Sequence, residues 1–354
     1  MFVLELRDFG LPPETLLEAY EGFSDPIARQ AALLAMDGYR DRDFSQLTEQ
    51  RLTDLLERLL KHGRDSSERS AAEWLLRRRG GEEKVRQIKV DILQPGTLPA
   101  AALRDRGWWL SSQGHTLLVV RGPVQFTMGS PANEQEHDDN EAPILTTIDH
   151  SFAMGAYEVT MEQFQRFDPK AEFAIDVALE PGCPANKVSL VSAMKYCRWL
   201  SEKEKVEDEQ MCYPSQETIE ARHVHLSPEQ LLKTGYRLPT EAEWECACRA
   251  GSQTAWFFGD HELWLPRFAW FAANSSNRLQ PVGRLMPNAW GLFDVSGNAL
   301  EWCQPEQTRQ ALVLRGGCYR TPAAIARSAN VYTQSDKGYS FTGFRVTRTI
   351  AADR

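Results

Sequence analysis

The decapeptide YRLPTEAEWE at residues 236–245 gives the clearest local indication of fold in this chain. The side chain of Thr240 can accept a hydrogen bond from the backbone N–H of Glu243, and the Glu243 carboxylate can accept one from the N–H of Thr240. This reciprocal pair is the capping box that begins many helices. We therefore predict a helix over residues 240–249.

A second helix and several short strands are predicted around it. Residues 191–203, VSAMKYCRWLSEK, place apolar side chains on one helical face. Strand-length apolar segments, divided by turn residues, occupy residues 116–121, 125–129 and 152–159. Residues 204–233 are polar and weakly periodic, so we expect an insertion loop there. The acid-rich run at 134–141 predicts a solvated loop between strands.

The chain changes character near residue 106. Before it, apolar residues recur at three- and four-residue spacings, which predicts helices at residues 25–37, 47–61 and 66–79. Short paired helices of this kind suggest a HEAT-like helical-repeat fragment. After it, tryptophan, glycine and proline become frequent and apolar runs shorten. We therefore predict a helical adaptor at residues 1–95, a linker at 96–105, and an α+β domain with much irregular backbone at 106–354.

Composition excludes several classes of protein. The chain has 354 residues, of which 42% are hydrophobic and 25% charged, and this is typical of a globular protein. Its 40 basic and 49 acidic residues give a net charge of −9, so we expect no nucleic-acid partner. No apolar run reaches the ~18 residues of a membrane helix, so we expect no membrane insertion. Seven scattered cysteines without a visible secretion signal predict reduced thiols and a cytoplasmic location.

Seven segments, taken in order, resemble the formylglycine-generating enzyme family, also called the sulfatase-modifying factor domain. They lie at residues 126–130, 157–164, 236–245, 287–294, 297–302, 314–317 and 343–346. The resemblance covers residues 106–349 and implies a C-type-lectin-like fold with little regular secondary structure. Residues 71–78 resemble helical segments that precede this domain in large bacterial multidomain proteins, some with kinase domains. This suggests that the chain is part of a larger protein.

The resemblance also implies a chemistry. Members of the family oxidise a substrate cysteine to formylglycine with oxygen, and two cysteines after an Arg-Gly-Gly-Ser segment bind one copper(I) ion, which as a soft ion takes thiolates. The corresponding segment here is RGGCYRT at residues 315–321. Cys318 stands at the serine position, Thr321 stands at the position of the first copper cysteine, and no cysteine follows. We therefore expect no copper and no catalytic residue, and an active enzyme would have to use Cys318.

A structural calcium ion near residues 293–302 is a further implication of the resemblance. The resemblance implies four ligands, the side chains of Asp294 and Glu301 and the backbone carbonyls of Gly297 and Ala299. Hard oxygen donors grouped in a turn suit Ca²⁺. The alternative is that Asp294 and Glu301 cap turns while a neighbouring asparagine holds a left-handed conformation.

Residues 318–341 are rich in Tyr, Arg, Asn, Ser and Asp, a composition typical of adaptable binding surfaces. In some relatives of the family the same stretch is a hypervariable ligand-binding site. We interpret residues 327–329 and 344–346 as framework. The expected contact residues are Tyr319, Arg320, Thr321, Tyr332, Gln334, Asp336, Tyr339 and Phe341.

These observations favour a catalytically degenerate formylglycine-generating-enzyme-like domain. It would bind a protein or peptide ligand through its C-terminal surface, behind a helical adaptor. Two alternatives stay open. One is an oxygen-dependent oxidase that converts a substrate cysteine to formylglycine with an altered thiol site at Cys318. The other is a structural scaffold that binds nothing small.

Overall fold

The computed structural model describes residue 7 and residues 10–93, 106–221, 224–305 and 312–351. Its first part is helical, and its second part combines sheets with helices, as predicted. The predicted linker at 96–105 lies outside the described residues. Within the described ranges, no helix is both long and apolar enough to cross a membrane.

The first part contains five α-helices within its described residues. They are α1 (Pro13–Gly22), α2 (Pro26–Ala35), α3 (Gln46–His62), α4 (Ser66–Arg78) and α5 (Glu82–Leu93). The side chains of Asp25, Ser45 and Asp65 accept hydrogen bonds from first-turn N–H groups of α2, α3 and α4. These N-caps explain where the three predicted helices begin. Helices α1 and α5 are additional to the prediction.

Short strands form three sheets in the described part of the chain. They are β1 (Trp108–Leu110), β2 (Thr116–Val120), β3 (Val124–Met128), β4 (Ile144–Ile148), β5 (Phe152–Gly155), β6 (Tyr236–Arg237), β7 (Leu300–Trp302), β8 (Leu312–Arg315), β9 (Tyr332–Gln334), β10 (Thr342–Gly343) and β11 (Thr347–Thr349). The sheet orders are β1-β2-β5-β11-β6 and β10-β7-β8-β9, and β3 and β4 form a separate antiparallel pair. Strand β11 pairs with both β5 and β6, so it joins segments that are distant in sequence.

Five further helices lie between the strands of the described second part. They are α6 (Met161–Phe167), α7 (Leu190–Lys203), α8 (Gln216–Ala221), α9 (Pro228–Leu231) and α10 (Glu241–Arg249). The predicted capping box of α10 is present, with Glu243 N 3.1 Å from Thr240 Oγ1 and Thr240 N 2.9 Å from Glu243 Oε2. Residues 204–233 were expected to be a loop, but they contain the short helices α8 and α9.

The helical part and the second part share a hydrophobic core. One buried cluster runs from helices α1–α5 into β2, β5, α10 and the loop that contains Leu292 and Phe293. Helix α4 is buried on every side, with ten consecutive buried residues from Ser67 to Leu76. Gly291 packs against it so closely that an added Cβ would lie 2.6 Å from Ser70 Oγ. A helix covered around its whole circumference belongs to the interior, so α4 is a common core element of both parts.

Candidate functional site

Cys318 and Thr321 close a tight turn after strand β8. The Thr321 hydroxyl donates to the Cys318 carbonyl at 2.9 Å and accepts from the Cys318 backbone N–H at 2.9 Å. The backbone N–H of Thr321 bonds to the same carbonyl at 3.0 Å. The hydroxyl of Thr321 is therefore used to hold the turn, at the position that the resemblance gives to the first copper cysteine.

The thiols are buried and protonated. All seven cysteines lie within the described ranges, and each is buried and outside any disulfide. Burial raises the pKa of every one of these thiols. Cys303 and Cys318 belong to different hydrophobic clusters, and their charged neighbours differ, Glu241 for the first and Arg320 for the second. At the matched segment the chain offers one buried thiol, Cys318, and a Thr321 hydroxyl committed to the backbone, and these donors do not fit a two-thiolate copper(I) site.

The predicted contact residues of the 318–341 stretch differ in their exposure. Arg320 is exposed, and Thr321, Tyr332, Gln334 and Tyr339 are half-buried. These five side chains therefore reach the surface, as a binding site requires.

Asp336 has a structural role as well. Its Oδ1 accepts a hydrogen bond of 2.8 Å from the backbone N–H of Leu190, in the first turn of α7. First-turn N–H groups of a helix lack a partner within the helix, and the Asp336 carboxylate accepts one of them. Its negative charge also complements the positive end of the helix dipole. Asp336 therefore holds the surface stretch against α7.

Tyr319 and Phe341 correct the predicted contact set. They are only 1% and 6% exposed, because their rings pack into the second hydrophobic cluster. Phe341 instead supports two neighbours that reach solvent. The Arg320 guanidinium lies 4.1 Å from its ring centroid, and the Tyr339 ring stacks on it at 5.2 Å. This packing holds Arg320 and Tyr339 in place beside each other.

A cleft of about 720 Å³, which the sequence did not predict, adjoins this surface. We call it the acidic cleft. Part of its wall comes from the predicted binding stretch, at Pro322, Ala323, Ala324 and Arg327. The remaining walls are two segments, at residues 131–136 and 253–262, which bring in the acidic residues Glu134, Glu136, Asp260 and Glu262.

The acid-rich run at 134–141 lies between strands β3 and β4 as predicted, and Glu136, Asp138 and Asp139 are exposed. Glu141 is the exception, since it is 2% exposed and bonds to Arg327 at 2.7 and 3.0 Å. Arg327 also bonds to Glu134 at 2.6 Å. Burial opposes ionisation of Glu141, but hydrogen bonds from Arg327 and Ser130 outweigh it and lower its pKa. The guanidinium in the cleft wall is thus neutralised by two carboxylates.

The other acids of the cleft carry exposed negative charge. Glu136, Asp260 and Glu262 are exposed, and none has an ion-pair partner among the described residues. Asp260 Oδ1 accepts a hydrogen bond of 2.9 Å from the backbone N–H of Ala255. The cleft therefore offers a net negative charge, which favours a cationic ligand.

The predicted calcium residues are buried, and their oxygens are largely engaged. Glu301 accepts from Trp244 Nε1 at 2.8 Å and from Arg345 at 2.5 and 2.6 Å. Asp294 Oδ2 accepts from the Gly283 N–H at 2.7 Å, whereas its Oδ1 has no hydrogen-bond partner among the described residues. Among the described residues, no group of three or more His, Cys, Asp or Glu side chains is arranged to hold a metal ion.

Gly297 and Ala299 would contribute only backbone carbonyls to that site. Their N–H groups are already committed, to the carbonyl of Gly316 at 2.6 Å and to the carboxylate of Glu158 at 3.0 Å. Because the Glu301 carboxylate already bonds to Arg345, calcium would have to compete with Arg345 for it. The calcium site stays a prediction that rests on Asp294.

Comparison with known proteins shows which family the chain resembles. The chain is 30% identical over 237 residues to the formylglycine-generating enzyme of Mycobacterium tuberculosis, covering 54% of this chain and 74% of the enzyme. It is 26% identical over 278 residues to the serine/threonine-protein kinase pkn1 of Chlamydia pneumoniae. That match covers 66% of this chain but spans only 38% of the kinase.

A solved structure supports the fold. The Treponema denticola variable protein 1 superposes with a TM-score of 0.53 at 22% identity, covering 66% of this chain and 95% of that protein. Residues 110–350 also match the sulfatase-modifying factor enzyme 1-like domain, which accounts for most of the chain. This protein therefore belongs to the sulfatase-modifying factor enzyme 1-like domain family, the family of the formylglycine-generating enzymes.

Proposed function

We propose that this chain is a catalytically degenerate member of its family that binds a protein or peptide ligand. The observation that carries the proposal is the turn at Cys318, where Thr321 replaces a metal-binding thiolate and uses its hydroxyl to close the backbone. The buried, protonated state of the seven thiols supports it further. An oxidase of the family kind needs two accessible thiolates, and this donor set supplies none.

The ligand surface in this proposal consists of the half-exposed residues of the 318–341 stretch and the acidic cleft beside them. Arg320 and Tyr339 present a guanidinium and a ring supported by Phe341. Aromatic and Arg side chains held in place are suitable anchors for a peptide. The unpaired carboxylates of Glu136 and Glu262 favour a peptide that carries Arg or Lys next to that anchor.

The position of the domain in a larger protein is also a proposal. A match to part of a serine/threonine-protein kinase is consistent with a binding module that works beside an effector domain. Helix α4 is buried in a core that the helical part shares with the second part. In this proposal the helical part and the binding domain therefore move as one rigid unit.

A panel of fluorescently labelled peptides tests the binding function. We expect Arg-containing peptides to bind more tightly than sequence-matched Asp-containing ones, as measured by fluorescence anisotropy. A Glu136→Gln/Glu262→Gln double variant should weaken the Arg peptides about five- to thirtyfold, because each exposed charge contributes ~0.5–1 kcal/mol. Tyr339→Ala should weaken both peptide types. Equal binding of both types by all variants would contradict this surface.

The matched control is Glu162→Gln, since Glu162 is an exposed acid on α6 outside the acidic cleft.

The oxidase alternative is tested with a Cys-x-Pro-x-Arg peptide incubated with the protein, oxygen and copper(I). Mass spectrometry should show the peptide unmodified, beside an active enzyme of the family as positive control. Conversion of its cysteine to formylglycine would favour the oxidase and make Cys318 the next residue to replace.

A further inference from the structure

A second cleft, of about 420 Å³, lies where the helical part meets the second part. We call it the basic cleft. Helices α2 and α4 contribute Leu34, Trp74 and Arg78, and the opposite wall contains Arg267, Arg284 and Met286. Its residues do not overlap with those of the acidic cleft or of the 318–341 stretch. Ligand sites occur preferentially at such junctions between structural units.

The charge in this cleft is opposite to that of the whole chain. Four arginines line it, Arg7, Arg78, Arg267 and Arg284, against one carboxylate, Asp37. The chain as a whole has nine more acidic than basic residues. A local excess of guanidinium groups in an acidic protein concentrates anions at that point.

Two of the four guanidinium groups have a weak ion pair or none among the described residues. Arg78 bonds to Asp37 at 2.9 Å, and Arg7 pairs with Asp43 at 3.2 Å. Arg284 has only a distant contact of 3.8 Å to Glu82, at the outer limit of an ion pair. Arg267 makes no hydrogen bond or ion pair to any described residue, and its guanidinium lies 5.0 Å from the Trp264 ring centroid.

The surroundings of these two groups suit an oxyanion. The backbone carbonyl of Arg284 accepts a 3.2 Å hydrogen bond from Trp74 Nε1, and the N–H of Met286 bonds to the carbonyl of Arg267 at 3.0 Å. The two arginines are therefore held on connected backbone segments. Trp74, Leu285 and Met286 line the cleft with apolar surface, which strengthens a charge interaction relative to open water. Planar guanidinium groups bind tetrahedral oxyanions through paired N–H donors.

We propose that the basic cleft binds a ligand that carries a phosphate or sulfate group, with the oxyanion held by Arg267 and Arg284. The apolar lining would hold the rest of that ligand. Both arginines belong to the second part of the chain, and the rest of the ligand would contact the facing helical wall at Leu34 and Trp74. This site is independent of the peptide surface proposed above, and either proposal can fail without the other.

Isothermal titration calorimetry with inorganic phosphate and with sulfate tests the proposal, at an ionic strength held constant with chloride. We expect saturable binding of at least one of the two anions to the full chain. Arg267→Gln and Arg284→Gln should each weaken it about tenfold, since a charge-assisted hydrogen bond contributes ~1.5–3 kcal/mol. The relative affinities of the two anions identify which group the cleft prefers.

The matched control is Arg86→Gln, because Arg86 is an exposed arginine on α5 that lies outside the cleft. It should bind the anion as the unaltered chain does. Arg267→Gln removes no hydrogen bond or ion pair to the described residues, and circular dichroism of the variant checks that it is folded. Absence of saturable binding, or equal binding by all three variants, would overturn the proposal.

Discussion

The hydroxyl of Tyr157 donates a 2.7 Å hydrogen bond to Glu73 Oε1, and this bond joins the second part of the chain to helix α4. The same carboxylate accepts from Arg77 at 2.9 Å, from Lys89 at 2.6 Å and from Arg69 at 3.2 Å. Glu73 is fully buried, so it is a single negative charge shared by three cations inside the protein. The junction is therefore fixed by a buried polar network as well as by apolar packing.

Glu73→Gln should destabilise the whole chain. The substitution leaves Arg69, Arg77 and Lys89 close together without their common counter-charge, and breaking a buried ion pair in this way costs about 3–5 kcal/mol. Urea unfolding followed by circular dichroism measures the change. Glu57→Gln, which removes a partly exposed partner of Lys84, should cost less than about 1 kcal/mol. Equal effects of the two substitutions would contradict the role of Glu73.

Trp74→Ala should lower the stability of both parts together. Trp74 is 3% exposed in the shared core, and removing a buried tryptophan side chain typically costs about 3–5 kcal/mol. We expect one unfolding transition that coincides by circular dichroism and by tryptophan fluorescence. Leu47→Ala, at a residue of α3 that is 71% exposed, should change the stability by less than about 0.5 kcal/mol. Two separate transitions, with only the helical one shifted, would show that the parts fold independently.

Asp294→Asn should stabilise the protein at neutral pH. Burial raises the pKa of Asp294 to about 6, so the native state holds a proton that the unfolded chain releases at lower pH. This contribution to stability is complete below the unfolded pKa of about 4 and is lost as the pH rises through about 6. The variant should gain roughly 1–3 kcal/mol at pH 7.5 and little at pH 4.

Two features make asparagine a suitable replacement at this position. Asp294 has φ of +56°, a left-handed conformation that asparagine tolerates. An amide oxygen can also accept the Gly283 N–H bond that the carboxylate accepts now. Urea unfolding at the two pH values in calcium-free buffer measures the effect, and a gain of equal size at both would count against titration of Asp294 as its cause.

Calcium binding, if it occurs as the family resemblance implies, should depend on Asp294. Equilibrium dialysis of the unaltered chain against Ca²⁺ should then show binding that Asp294→Ala abolishes, because the unpartnered Oδ1 is the oxygen available to a cation. Identical dialysis results for both proteins would exclude this site.

Glu301→Gln tests the role of the second predicted calcium ligand. A strong loss of stability in calcium-free buffer would show that Glu301 stabilises the protein through its ion pair with Arg345.

The thiols should be unreactive in the native protein. At pH 8, Ellman's reagent should modify essentially no cysteine within minutes, whereas all seven should react in urea. The reason is that burial both shields the sulfur atoms and keeps them protonated. Rapid reaction of one thiol that disappears in Cys318→Ser would identify an accessible Cys318 and revive the oxidase alternative.

Local sequence determined the parts of this structure that depend on neighbouring residues. The Thr240–Glu243 capping box and the apolar stripe of α3 specify their helices because the interacting residues are three or four positions apart. The identities of Cys318 and Thr321 likewise led to the prediction that this position does not bind copper, and that prediction depends on residue identity alone.

Only the tertiary structure decided which of these residues work together. Glu141 looked like part of a solvated acidic run, because its partner Arg327 is 186 positions away and periodicity carries no information at that distance. The Tyr157–Glu73 bond spans 84 positions, and the bond from the Leu190 N–H to Asp336 spans 146. The acidic and basic clefts arise in the same way, since each collects its charges from segments that are distant in sequence and meet only when the chain has folded.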